Sequence, residues 1–374
     1  MKFQKIIQIL SNPKFFLATI FWLMILVVVG TLAQANIGLY DSQQKYFSSW
    51  FLMLWFIPVP GGRLTLLIMF VNLFAFILKP SFWSIKKIGI ITIHCGVLLL
   101  LIGGGLTAWF SSEGMMSIKE GKVSNSIFNS YDKEFVIMDT SNPDYDNFTV
   151  ISDDVLEKGS VIENSKIPFS IEIVDYFMNC SVIPRDNPDF INYRGFAQRF
   201  SLVRKENEKE RELNRSGIIF KISNANELSN GTYSLVLEQS IPQTINVDGK
   251  ELTLILRRER TYLPFSLELV DFRKELHPGT DIAKSYSSKI NLHEKDIKRS
   301  VIIEMNAPLR HRNYTFFQSS FIEDFDSDTT ILSVVKNYGR LFPYISSIIM
   351  SVGLLLHMIL RLPTLFSERK RKRK

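Results

Sequence analysis

Four stretches of this chain are too apolar, for too long, to belong on the surface of a water-soluble fold, and they limit its architecture more than any other feature. They run from about Phe15 to Leu32, from about Leu64 to Leu78, from Ile88 to Phe110 and from about Leu341 to Leu360. Hydrophobic residues make up 46% of the 374 residues, an ordinary share, so it is their clustering that sets the class. Between the third and fourth stretches lies a polar segment, about 111–338, far too long for a loop. The expected organisation is residues 1–110 with three transmembrane helices, 111–338 as a separate domain, and 339–374 with a fourth helix and a basic tail. The first stretch exceeds the usual apolar core of a cleavable leader and lacks a small-residue cleavage site, so it is expected to stay as a span.

Lysine and arginine near the span ends set the expected orientation. Lys2, Lys5 and Lys14 precede the first span, Lys79, Lys86 and Lys87 fill the turn before the third, and Arg369 to Lys374 close the chain as RKRKRK. With four spans these sites share one side, which places both termini in the cytoplasm and the large domain outside. The connection beginning at Gln34–Ser49 carries only Asp41 and Lys45, as an outer loop would. The formal charge of +7 is mostly the tail, which more simply fixes topology and touches anionic lipid than binds nucleic acid. Cys95 and Cys180 fall in a span and in the outer domain, too far apart in environment to pair.

The outer domain reads as β-rich. FVIMD, FSIEIVD, RFSLV, GIIFKIS, YSLVLE, FSLELVD, SVIIEM and YTFFQSS are short alternating runs parted by turn residues. In INVDGKELTLIL, Asp248-Gly249 signals a two-residue hairpin. An antiparallel sandwich or a pair of small β units is expected. Pro168–Phe177 (PFSIEIVDYF) echoes Pro264–Phe272 (PFSLELVDF), from a duplicated β unit or from chance similarity of amphipathic strands. No GxSxG, HExxH, phosphate-binding glycine loop or CxxCH occurs, and His277, His293 and His311 are isolated. A binding or positioning module is expected rather than an active site.

Two histidines lie inside spans. His94 is six residues, about 9 Å, into the third from Ile88; His357 is four residues, about 6 Å, before Arg361 in the fourth. Side-by-side helices would bring both imidazoles toward one point in the inner half of the bilayer. Each is either a neutral histidine bonding a neighbouring helix, with His357 also able to snorkel, or a ligand of a buried metal or metallocofactor. Cys95 points about 100° away from His94 and reads as a packing residue. Gly103–Gly105 would admit a helix or a flat ligand. Arg63, after a Pro/Gly break, would pair an anionic group or anchor its helix in headgroups.

Taken together, this layout and two segments resemble the ResB (CcsB) family of system II cytochrome c maturation. The segments are HCGVLLLLIGGGLTAWFSSEGMMSIKEGK and IEMNAPLRHRNYTFFQSSF, the second carrying Asn306, Pro308, Leu309, Phe317, Gln318, Ser319 and Ser320. The resemblance implies an inner-membrane protein of bacteria with a periplasmic β domain, a non-catalytic or co-catalytic subunit of a cytochrome c synthase. It implies that haem b is bound in the membrane, with His94 as an axial ligand, and passed through a CcsA-type partner to apocytochrome c. For His357 the resemblance implies no equally firm role, and the second ligand could come from the partner. Trp22, Trp50, Trp55, Trp83 and Trp109 are scattered, so the tryptophan-rich loop of the partner half is absent. The rival reading is a cofactor-free, membrane-anchored interaction protein.

Overall fold

A computed structural model describes residues 2–164, 167–325 and 327–371. It divides into a helical unit of residues 1–112, 312–314 and 335–374, and a β unit of residues 113–311 and 315–334.

The helical unit contains α1 (Lys2–Leu10), α2 (Pro13–Ile37), α3 (Leu39–Ser42), α4 (Gly62–Ile77), α5 (Ile88–Phe110) and α6 (Phe342–Arg371). The break between α1 and α2 has a local cause. Asn12 caps α2 by accepting from the Lys14 N–H at 3.0 Å, and Pro13 stands at the first helical position. Asn72 of α4, almost buried, donates its amide to the carbonyls of Leu10 (2.5 Å) and Asn12 (3.0 Å), which the break leaves without helical partners.

Three helical segments, 4–37, 85–110 and 342–362, are long and apolar enough to cross a membrane. The expected second span is shorter: α4 has 16 residues, about 24 Å at 1.5 Å per residue against a hydrocarbon core of about 30 Å. The Pro58-Val59-Pro60-Gly61-Gly62 run stops any helix from extending backward. The fourth apolar stretch also differs from expectation, because α6 continues through Pro363 into the basic tail; Lys372–Lys374 lie outside the described residues.

The stretch expected as an outer loop doubles back instead. After Gly38, α3 and a π-helical turn at Gln43–Phe47 return along α2, with Ser42 Oγ donating to the Gly30 carbonyl at 2.6 Å. A two-stranded hairpin follows, β1 (Phe51–Leu54) and β2 (Ile57–Pro60), and leads straight into α4.

Helices α5 and α6 pack antiparallel through glycines spaced seven apart. A Cβ on Gly89 would overlap the His357 backbone, on Gly96 it would lie 2.6 Å from Met350 Cγ, and on Gly103 it would strike the Phe342 side chain. Seven residues are almost two full turns, so these glycines form one stripe along which the backbones approach.

The β unit and the strands leading to α6 comprise β3 (Ser112–Lys119), β4 (Val123–Asp139), β5 (Asn147–Ser152), β6 (Val161–Ile162), β7 (Ser170–Phe177), β8 (Cys180–Pro184), β9 (Phe200–Arg204), β10 (Gly217–Ser223), β11 (Gly231–Val236), β12 (Gln243–Val247), β13 (Lys250–Leu276), β14 (Ala283–Glu294), β15 (Ile297–Glu304), β16 (Leu309–His311), β17 (Tyr314–Ile322) and β18 (Thr329–Lys336). A ten-stranded sheet runs β15-β14-β13-β4-β3-β18-β17-β16, with β12 and β5 paired onto β13 and β4. A four-stranded sheet, β11-β10-β7-β6, packs on the part of it formed by β5, β4, β13 and β12; Ile171, Ile173, Ile218 and Phe220 share a buried core with Phe135, Ile137 and Leu254. This part is the expected antiparallel sandwich. Asp248 and Gly249 both have positive φ (52° and 77°), as a type I′ turn requires.

The two stretches of the internal echo both lie on strands, β7 and β13. Phe169, Ile171 and Ile173 point inward from the four-stranded sheet, and Phe265, Leu267 and Leu269 do so from β13 of the ten-stranded sheet. The two stretches occupy sheets of different size.

Candidate functional site

His94 stands on α5, half-buried, facing α4 and the turn that follows it. Its ring stacks on Phe76 (centroids 5.4 Å apart, planes 25° apart) and meets Phe82 edge-on at 5.5 Å. The two phenylalanines touch each other at 4.8 Å. The turn at Pro80–Phe82 is what brings Phe82 back against the histidine, and Leu73, Ile77 and Phe82 close a small core with Ile90, Ile91, Val97, Leu98 and Leu101. Lys79 lies at the rim, its Nζ 5.4 Å from the Phe76 ring centre.

The imidazole is fixed by its own helix. Nδ1 lies 2.8 Å from the carbonyl oxygen of Ile90, one turn earlier. A carbonyl only accepts, so this bond places the proton on Nδ1 and leaves the Nε2 lone pair open in the neutral ring. That is the tautomer and the orientation needed to ligate a metal through Nε2. Among the described residues no group of three or more His, Cys, Asp or Glu gathers as a metal cluster.

His357 is also half-buried. Its backbone abuts Gly89 in the α5–α6 contact. His94 is displaced about 140–180° around α5 from the glycine stripe at about 100° per residue, toward α4. The helices do pack side by side as anticipated, with the His357 backbone against Gly89 and the His94 ring against Phe76 and Phe82.

The other residues singled out fall as follows. Cys95 is an exposed free thiol on α5; Cys180 is buried and free, its thiol pushed up to about 11 by burial. Of the glycine run, Gly103 takes the close contact with α6, whereas Gly104 and Gly105 face open space. Arg63 sits in the first turn of α4, half-buried.

Within the β unit, Gln318 of the FFQSS segment closes a buried ring of three hydrogen bonds. Ser288 Oγ donates to Gln318 Oε1, Gln318 Nε2 donates to Thr330 Oγ1, and the Thr330 hydroxyl turns to Ser288, each at 2.8 Å. Strands β14, β17 and β18 are thereby tied through polar groups that burial would otherwise penalise. Two of the histidines read as isolated in sequence are paired with carboxylates. His293 Nε2 meets Glu268 Oε2, and His311 Nε2 meets Glu294 Oε2, both at 2.8 Å. Glu268 also accepts from Asn291 at 2.9 Å and lies 3.5 Å from Lys298; led by the Asn291 bond, these neighbours hold its carboxyl down at about 2.

A cleft of about 580 Å³ in the β unit is lined by Asp132, Lys133, Asp153, Asp175, Arg204 and Arg211, among others. Burial lowers the Lys133 amine and raises the Asp153 carboxyl. Its acids and bases nearly balance, five carboxylates against four cations.

The fold defines a class first: a helical unit with segments long and apolar enough to cross a membrane, and a large antiparallel β domain. Within that class, residues 230–332, spanning β11 to the middle of β18, match the ResB-like family. Over 272 residues, 71% of this chain, the sequence is 24% identical to Protein NrfI of Wolinella succinogenes, of whose length that match covers 27%. The ResB resemblance read from the sequence is therefore borne out.

Proposed function

We propose that this chain serves cytochrome c biogenesis by holding haem in the membrane for a CcsA-type partner, which delivers it to exported apocytochrome c. The observation that carries this reading is the Nδ1–H···O=C bond from His94 to Ile90, which frees Nε2 as an iron ligand. The surroundings fit a flat, apolar cargo: aromatic rings flank the imidazole and Lys79 supplies a cation at the rim for a carboxylate. Haem b held this way would keep its iron tuned by the identity of the axial ligands. Since His94 faces Phe76 and Phe82 rather than the glycine stripe that meets α6, this reading takes the second ligand from the partner chain.

In this reading α4 counts as the fourth membrane helix, with the turn at Pro80–Lys87 completing the crossing. Both termini are cytoplasmic, following the lysines and arginines at the span ends, and the β domain is periplasmic in the inner membrane of a bacterium. The β domain presents apocytochrome, and the chain itself is not the catalytic half. Co-expression with a CcsA-type partner tests this: the purified complex should carry a Soret band that is lost or altered by His94→Ala. A colourless complex in every preparation would overturn it.

A further inference from the structure

The hairpin Phe51–Pro60 and the residue that follows it, Arg63, have requirements that neither water nor lipid meets. From Ser48 to Gly62 there is no charged residue, yet Phe51, Met53, Leu54 and Ile57 are exposed, and Trp55 and Phe56 are 88% and 90% exposed at the tip. An apolar projection of this kind is unfavourable in water.

Trp22 fixes the level of the hairpin base. Its Nε1 donates to the Pro60 carbonyl at 2.8 Å. Trp22 stands near the middle of the first apolar stretch, seven residues after Phe15 and ten before Leu32, or about 10 and 15 Å along the helix. The chain reaches this level by returning along α2: Ser42 Oγ donates to the Gly30 carbonyl, and a Cβ on Gly30 would lie 2.8 Å from the Phe47 ring. With α2 as a membrane span, the hairpin base and the start of α4 lie within the hydrocarbon rather than among headgroups.

At that depth two kinds of polar group are short of partners. Gly61 N–H donates to the Trp50 carbonyl at 2.9 Å, which sets the phase of the ladder. Alternation then makes Phe51↔Pro60 and Met53↔Pro58 the non-hydrogen-bonded pairs, whose N–H and C=O groups point away from the partner strand. On β2 both outward N–H groups are abolished by proline, and the outward Pro60 carbonyl is taken by Trp22. On β1 the outward groups of Phe51 and Met53 have no partner among the described residues, and acyl chains cannot supply one.

Arg63 is the second. It is half-buried in the first turn of α4, and its guanidinium has no hydrogen bond or ion pair among the described residues. Asp41 is the only acidic residue before Glu113, and it lies beside Ser42, whose contact with Gly30 is eight residues, about 12 Å, further along α2 than Trp22. Irregular backbone and a lone guanidinium are tolerated at membrane depth where protein covers them.

We propose that Phe51–Arg63 is a docking surface for a transmembrane segment of another chain, an apolar helix whose carboxylate pairs with Arg63 and whose polar side chains meet the β1 edge. Lipid would suit the tip but not the edge or the guanidinium; a helix bearing an Asp or Glu suits all three. The occupant is the CcsA-type partner, so this inference rests on the function proposed above.

The full chain co-expressed in membranes with that partner provides the test. Photoreactive benzoylphenylalanine replacing Phe56 should give an adduct with the partner, mapped by mass spectrometry to a transmembrane segment that carries an Asp or Glu. Arg63→Gln should lower the partner recovered per chain more than about tenfold, and Arg63→Lys, which keeps the charge, should lower it less. An unchanged melting temperature of each variant alone separates lost docking from lost folding. Adducts only with lipid or with a second copy of this chain would overturn the proposal, as would equal recovery with Arg63→Gln. A haem-loaded complex without the adduct would overturn the docking surface and leave the haem reading standing, whereas a colourless complex with the adduct would do the reverse.

Discussion

His94 Nδ1 and the carbonyl oxygen of Ile90 lie 2.8 Å apart within one turn of α5, so the helix that carries the imidazole also chooses its tautomer. Neither residue needs a second element for this, which is why the ligand-ready state of Nε2 is a local property of the sequence. The aromatic walls are not local: Phe76 comes from α4 and Phe82 from the turn beyond it.

The glycine stripe separates close packing from open surface. Gly89→Leu forces a side chain into the backbone of His357 and should destabilise the helical unit by roughly 1–3 kcal/mol. Gly104→Ala meets nothing and should leave the thermal midpoint in detergent unchanged or slightly raised, since alanine favours helix by up to about 1 kcal/mol. Equal midpoints for the two variants would contradict the packing described.

The buried ring of Ser288, Gln318 and Thr330 predicts a cost well above that of its neighbours. Thr330→Val keeps the shape but strips the hydroxyl that both partners use, and should cost about 1–3 kcal/mol in chemical denaturation of the full chain. Ser319→Ala, at an exposed position beside Gln318, should be silent. If the two behave alike, the ring is not a stabilising feature.

Glu268 gives a pH dependence of definite sign. Its folded-state carboxyl sits at about 2 rather than at the model-peptide value of 4.5, through Asn291 first and then His293 and Lys298. A depressed carboxyl contributes stability that is fully present above the unfolded value and is lost as pH falls toward 2. Acid unfolding followed by circular dichroism should therefore flatten between those limits in Glu268→Gln. Superimposable acid curves for the variant and the unsubstituted chain would show that the carboxylate contributes nothing.

The apolar stretches were readable because membrane-crossing segments must be long and uninterrupted, and Ile88–Phe110 is helical end to end as the sequence indicates. Asp248-Gly249 was readable because the turn type depends on two residues alone. Strand β14 was not. Its sequence AKSYSSKINLHE is polar, and Ser288 is buried only because Gln318 and Thr330 arrive from distant strands to satisfy it. The return of Leu39–Pro60 along α2 was equally hidden, since it depends on Gly30 being small and on Trp22 reaching Pro60. That His94 lies off the α5 face that meets α6 follows from the glycine stripe; the spacing of Gly89, Gly96 and Gly103 was present in the sequence as its signal.

The proposed role of His94 as an iron ligand is tested most directly by spectroscopy of the chain purified together with the proposed CcsA-type partner. His94→Gly leaves the Ile90 carbonyl and both phenylalanines in place and opens a gap of imidazole size. The account predicts that the variant loses or broadens the reduced Soret band and that added imidazole restores it, while His357→Ala leaves it unchanged. An unaltered spectrum in His94→Gly, with the band abolished in His357→Ala, would contradict it.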